Sequence, residues 1–113
     1  MYDFEVNDAI TEILDKSYDK EKTVKTASYV SKLLKEKGIK ITDYRWQSLV
    51  NHMAAMVERS FTGEKLEGIE ADMFSDVSKK SLDIAENIVN EIGNLPQNEA
   101  YLLSIHFETA EIE

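Results

Sequence analysis

Two histidines, His52 and His106, are the side chains of this sequence most suited to chemistry near pH 7. Arg59 follows His52 by seven residues, and Glu99 precedes His106 by the same interval. Seven residues make two turns of an α-helix, so each histidine would share a helix face with one charged residue, roughly 10.5 Å away along the axis. Each histidine therefore has a charged residue that could influence it, provided that both segments are helical.

A neutral imidazole can accept a phosphoryl group, and a guanidinium nearby would neutralise the added oxygens. Arg59 is the candidate for that guanidinium. Glu99 could orient a ring by accepting its second N–H, although a two-turn gap within one helix is too long for a direct bond unless another helix intervenes. The same spacing equally suits two histidines at the edge of the core and a surface ion pair at Arg59, so spacing alone leaves both interpretations open.

The elements that would position these residues are predicted to be helices. The chain has one proline and four glycines, and its apolar residues recur at intervals of three and four. We therefore expect an all-α fold, a five-helix bundle, in which a polar run over Ser17–Lys22 separates the first two helices. The expected limits are Asn7 to Ser17, about Val24 to Gly38, Thr42 or Asp43 to Gly63, about Met73 to Gly93, and Asn98 to the C-terminus. Asn7, Thr42 or Asp43, and Asn98 are expected to cap the first, third and fifth helices with their side chains. The methionines and aromatic residues expected in the core are Trp46, Met53, Met56, Phe61, Phe74 and Tyr101.

Composition excludes several classes of function. The 22 Asp and Glu residues exceed the 13 Lys and Arg residues, and the net charge of −9 disfavours direct binding to nucleic acid or anionic lipid. There is no cysteine, which excludes thiolate nucleophiles and cysteine metal sites, and two histidines are few for a zinc site. No signal peptide or membrane-spanning run is recognisable. With 42% hydrophobic residues, we expect one folded cytoplasmic domain over residues 1–113.

An enzyme is not expected either. Carboxylates are numerous, but no pair has a spacing at which two helix faces would converge on a substrate. We therefore expect neither a catalytic residue nor a bound cofactor or metal. The acidic run Glu108–Glu113 is expected to be solvated surface, or to face the basic surface of a partner.

The sequence around each histidine follows a definite pattern. The first pattern has a histidine on an apolar helix, small and apolar residues after it, an arginine seven residues on and then a glycine; here its residues are Leu49, His52, Met53, Ala54, Arg59 and Gly63. The second runs over Glu99-Ala100-Tyr101-Leu102-Leu103-Ser104-Ile105-His106-Phe107. Together they resemble the two motifs of the PRD family, the phosphotransferase-system regulation domains of bacterial sugar-responsive antiterminators and activators.

That resemblance implies a regulatory module of five helices whose histidines are phosphorylated. His52 and His106 would be the phosphoryl acceptors, and the donor would be the phosphocarrier protein HPr or a sugar-specific transport component. Arg59 would be the phosphate or interface partner, and Glu99 the structural acid of the second motif. Asn51 stands where family members often have an acidic residue, which leaves the hydrogen-bond partner of His52 open. Asn51 and Glu99 are grouped with Arg59 as phosphate or interface partners.

The resemblance also implies how the module would act. Familiar regulators carry such domains in pairs behind a nucleic-acid-binding domain, whereas here a single copy is expected. We therefore expect a single domain like those of antiterminators. It would modulate transcription or sugar catabolism through protein contacts. It would act as a homodimer whose histidines lie near the interface. The alternative is a constitutive helical interaction subunit that binds a regulator or an enzyme through structural histidines, without phosphoryl transfer.

Overall fold

The computed structural model describes residues 2–112, and side-chain surroundings for residues 2–108. Over that described part the chain is all-α, as predicted, with five α-helices and one short 3-10 helix. The α-helices are α1 (Asp8–Lys16), α2 (Lys20–Glu36), α3 (Asp43–Thr62), α4 (Lys79–Ile92) and α5 (Glu99–Ile112), and the 3-10 helix is Ala71–Phe74. The side chains of residues 109–113, most of the C-terminal acidic run, lie outside the described residues.

Local hydrogen bonds explain where several helices begin and end. The Asn7 side chain accepts a hydrogen bond from the Ile10 N–H at 2.8 Å and so caps α1, as predicted. Thr42, one of the two predicted caps, does the same for α3. Gly63 ends α3 with φ at 79°, a left-handed conformation that glycine adopts without a steric penalty. These features were readable from the sequence because they depend on neighbouring residues.

Two predicted helix starts were wrong. α2 begins inside the polar run, because the Asp19 carboxylate accepts the Lys22 N–H at 2.9 Å and caps a first turn made of charged residues. α4 begins at Lys79 and not near Met73, because the Ser78 side chain accepts the Ser81 N–H and so caps the helix there.

A carboxylate from α5 reinforces the start of α4. Glu108 accepts the hydroxyl protons of Ser78 and Ser81, at 2.8 and 2.7 Å, and the Ser78 backbone N–H at 3.2 Å. These hydrogen bonds, that to Ser81 first, lower the pKa of Glu108. The contact joins residues far apart in sequence, so the beginning of α4 depends partly on tertiary structure.

The predicted side-chain cap of α5 is not formed. The Asn98 side-chain oxygen is buried and has no hydrogen-bond partner within the described part of the chain. Backbone bonds close the first turn instead, with the Pro96 carbonyl accepting from Glu99 N at 3.2 Å and the Gln97 carbonyl from Ala100 N at 3.0 Å. This tight turn places Glu99 at the first position of α5, where its side chain is buried.

α3 is the central helix, in contact with each of the other four α-helices. Its buried face carries Trp46, Met53 and Met56, as predicted. Three other aromatic positions differ from the prediction. Phe61 is 49% exposed near the end of α3, where its ring lies 4.7 Å from the Lys22 ammonium. Phe74 and Tyr101 are half-buried and stack on each other with ring centroids 5.6 Å apart, so they cover the core without entering it.

Candidate functional site

The two histidines meet between α3 and α5. Nδ1 of His52 lies 3.0 Å from Nε2 of His106, a hydrogen-bonding distance. The ring centroids are 5.1 Å apart and the ring planes are inclined by 56°. Both side chains are partly buried. The hydrogen-bond partner of His52, which the sequence left open, is therefore the second histidine.

Arg59 and Glu99 form a second link between the same two helices. The Arg59 Nε donates to one carboxylate oxygen of Glu99 and a terminal nitrogen donates to the other, each at 2.7 Å. The Glu99 side chain is fully buried and that of Arg59 is 13% exposed. A bidentate arginine–carboxylate pair has the geometry needed to offset the desolvation of two buried charges. It holds the start of α5 against the end of α3.

These two links explain the spacing of seven seen in each motif. On α3 the arginine follows its histidine, and on α5 the glutamate precedes its histidine. Two helices that run antiparallel bring His52 opposite His106 and, two turns away, Arg59 opposite Glu99. The charged residue seven positions from each histidine thus has its partner on the other helix. The equal and opposite intervals were a signal of this pairing.

The surroundings of the rings keep both histidines neutral at pH 7. The pKa of His52 is lowered to about 4, mainly by burial. The positive charge that His106 carries when it is protonated and the positive charge of Arg59 also lower this pKa. Burial also lowers the pKa of His106, with a contribution from Arg45. A neutral imidazole retains the lone pair that a nucleophile requires.

The sequence interpretation missed Arg45. It lies in the first turns of α3, seven residues before His52, and it is close enough to His106 to lower the pKa of that ring. Arg45 and Arg59 thus lie at the same interval of seven residues from His52, one before it and one after it. Asn51, in contrast, is exposed on α3 and lines an open groove with residues of α1.

Neither a metal-binding cluster nor a membrane-crossing helix occurs among the described residues. No group of three or more histidine, cysteine, aspartate or glutamate side chains is arranged there to hold a metal ion. None of the helices in that part of the chain combines the length and the apolar character needed to cross a membrane.

Comparison with known families places the site in context. Residues 27–110, which include both histidines, Arg59 and Glu99, match the model of the PRD domain family. The chain belongs to the PRD family. The predicted resemblance and the five-helix PRD bundle are thereby confirmed. Since PRDs belong to regulators, the chain is a regulatory domain.

A solved structure agrees with this assignment. The PRD is similar to the crystal structure of a PRD-containing transcription regulator from Lactobacillus casei ATCC 334, with 38% sequence identity and a TM-score of 0.93. The match covers 97% of this PRD and 98% of that chain. None of the curated proteins compared with the PRD matches it.

Proposed function

We propose that this PRD is a phosphorylation-controlled regulatory domain of the carbohydrate phosphotransferase system. His52 and His106 accept phosphoryl groups from the phosphocarrier HPr or from a sugar-specific transport component. The observation that carries the proposal is the contact between the two neutral rings, whose facing nitrogens lie 3.0 Å apart between α3 and α5. Two nucleophilic side chains that touch each other between two helices form a site at which added charge would act on the packing of both helices.

Electrostatics supports such a switch. A phosphoryl group adds about −1.5 to −2 charges to a protein whose net charge is already −9. Arg45 and Arg59 lie close enough to affect the two rings, and they would be the cations nearest to the new oxygens. Because Arg59 is bound to Glu99, a phosphoryl group that attracts the guanidinium would compete with the link between α3 and α5.

The switch would be transmitted through protein contacts. The net charge of −9 disfavours direct contact with nucleic acid, so the domain modulates transcription or sugar catabolism through another protein. We propose that it does so in the cytoplasm as a homodimer with the histidines near the interface, and that its role is regulatory and not enzymatic.

A phosphoryl-transfer assay tests the proposal. The protein is incubated with phosphoenolpyruvate, the general phosphotransferase enzyme and HPr, with and without sugar-specific transport components, and is then analysed by intact-mass spectrometry. We expect an acid-labile gain of one or two phosphoryl groups. His52→Ala and His106→Ala should each lose one site, and the double variant should lose both. No gain with any of these donors would contradict the proposal.

The burial of the rings favours a second candidate function. Partly buried histidines that bond to each other are also what a purely structural pair would show. The domain would then be a constitutive interaction subunit that binds a regulator or an enzyme without phosphoryl transfer. In that case the mass would not change in the assay, and partner capture by the wild-type protein would be insensitive to phosphoenolpyruvate.

A further inference from the structure

We propose that the contact between the two rings determines which nitrogen of each histidine accepts a phosphoryl group: Nε2 of His52 and Nδ1 of His106. The inference rests on the proposed function and specifies its chemistry at the level of atoms. It follows from the identity of the nitrogens that face each other, Nδ1 of His52 and Nε2 of His106. A nitrogen used in the bond between the rings is not available to attack phosphorus.

A count of protons makes the argument definite. Each neutral imidazole has one N–H and one nitrogen with a free lone pair. At 3.0 Å, two facing N–H groups or two facing lone pairs would repel, so one of the facing nitrogens donates and the other accepts. If His52 donates, its lone pair is on Nε2. If His106 donates, its lone pair is on Nδ1. In either arrangement the pair presents one nucleophilic nitrogen, and it is never a facing one.

Burial maintains this arrangement. The rings are partly withdrawn from water, which disfavours a second proton on either one and lowers the pKa of both. The charged groups that act on the rings, Arg59 on His52 and Arg45 on His106, are cations that oppose protonation further. The pair therefore holds two exchangeable protons at neutral pH, one of them between the rings.

The transfer to His52 can be written with its protons balanced. The bond between phosphorus and the donor nitrogen breaks as a bond from Nε2 of His52 forms, and the donor nitrogen keeps the electron pair. The Nδ1 proton of His52 becomes more acidic and passes to Nε2 of His106. His106 releases its own Nδ1 proton to water, and the donor nitrogen takes up a proton from water. His106 is thus a positioning residue that accepts a proton.

This sequence of events prepares the second histidine. After the first transfer, Nε2 of His106 carries a proton and donates it to His52, so the lone pair of His106 is on Nδ1. The ring is then in the tautomer that can attack a second donor. The charge of the first phosphoryl group opposes that step, and Arg45, which acts on His106, is the cation placed to offset it.

The test uses a donor that requires no protein partner. Full-length protein labelled with ¹⁵N-histidine is treated with potassium phosphoramidate, and long-range ¹H–¹⁵N spectra identify the phosphorylated nitrogen of each ring. We expect His52 to carry the group on Nε2 and His106 on Nδ1, each in about fivefold excess or more over the other isomer, since the other isomer forms only when the bond between the rings is broken.

Matched variants separate this effect from a general role in folding. His106→Ala frees Nδ1 of His52, so both isomers should form on His52. His106→Gln keeps an amide nitrogen near the position of Nε2 and should restore the preference for Nε2 of His52. For the isomer ratio on His106, His52→Asn is the variant that corresponds to His106→Gln. Circular dichroism checks that each variant is folded, and the isomer ratio would not respond to a purely structural role.

Several outcomes would overturn the inference: phosphorylation on a facing nitrogen in the wild type, the same isomer mixture in wild type and His106→Ala, or no reaction of either ring. The proposed function is judged separately. If phosphoramidate gives the expected isomers and the phosphocarrier system gives no product, the proposed function fails and this inference stands. If the phosphocarrier system modifies a facing nitrogen, this inference fails and the proposed function stands.

Discussion

At the scale of single residues, the site depends on how burial alters two histidines. Free histidine titrates near pH 6.5, whereas the pKa of His52 is lowered to about 4 by burial and by neighbouring positive charge. The consequence is a nucleophile that is neutral throughout the physiological range. The same burial links the ionisation of His52 to folding, because the unfolded chain binds a proton that the folded protein excludes.

This linkage predicts an acid-sensitive stability. Between pH 6.5 and about 4 the unfolded state binds more protons at His52 than the folded state, so the free energy of unfolding should fall as the pH falls, by about 3 kcal/mol from this residue. Urea denaturation at a series of pH values measures the effect. His52→Gln should flatten the dependence in this window, and an equally steep dependence in that variant would contradict the assignment.

At the scale of secondary-structure elements, two links join the antiparallel helices α3 and α5. The histidine pair lies partly exposed at one level, and the Arg59–Glu99 pair lies almost fully buried two turns away. We expect the buried ion pair to have a structural role, because Glu99 is without contact to water and Arg59 supplies its partner charge.

Removing one partner of this ion pair should be costly. Arg59→Met leaves a buried carboxylate without its partner, and we expect the free energy of unfolding to fall by about 3 kcal/mol. The double variant Arg59→Met/Glu99→Leu should recover most of that loss, because no charge is left buried. Lys79→Met, which breaks the exposed pair with Asp83, is the control and should have little effect. Denaturation curves of the four proteins form the measurement, and equal losses for Arg59→Met and Lys79→Met would count against a structural role.

At the scale of the whole molecule, the dominant property is the charge of −9 on a chain of 113 residues. Cations near the histidines, Arg45 and Arg59, are exceptions to this acidity. Self-association of such a protein is opposed by repulsion between protomers, so two more negative charges at a shared surface would have a large relative effect.

We therefore predict that charge at the histidines changes self-association. His52→Asp and His106→Asp each place a carboxylate in the pair, and at least one should shift the monomer–dimer dissociation constant by about tenfold or more at low ionic strength, and by less at high salt. Sedimentation velocity over a range of concentrations measures the shift. His52→Asn and His106→Gln are the uncharged controls. Unchanged association of both aspartate variants would contradict a homodimer with its histidines near the interface.

The sequence by itself determined the helical class, the family and several helix ends, because these depend on local chemistry: the interval of apolar residues, the cap at Asn7 and the glycine at position 63. It also identified the histidines, the arginine and the glutamate by type and spacing. Their pairing was not predicted, because each motif shows one helix alone and the equal and opposite intervals indicate the pairing only when the two helices pack antiparallel. Only the antiparallel packing of α3 and α5 placed His52 against His106 and Arg59 against Glu99.

The start of α2 was missed because of a local cap at Asp19 within a polar run, whereas two other errors involve residues that are distant in sequence. The start of α4 and the exposure of Phe61 depend on contacts with distant residues, Glu108 in one case and Lys22 in the other. The interval of apolar residues does not record such contacts. Tertiary structure thus decided which groups are buried together and which nitrogens of the two rings face each other, and burial in turn keeps the histidines neutral.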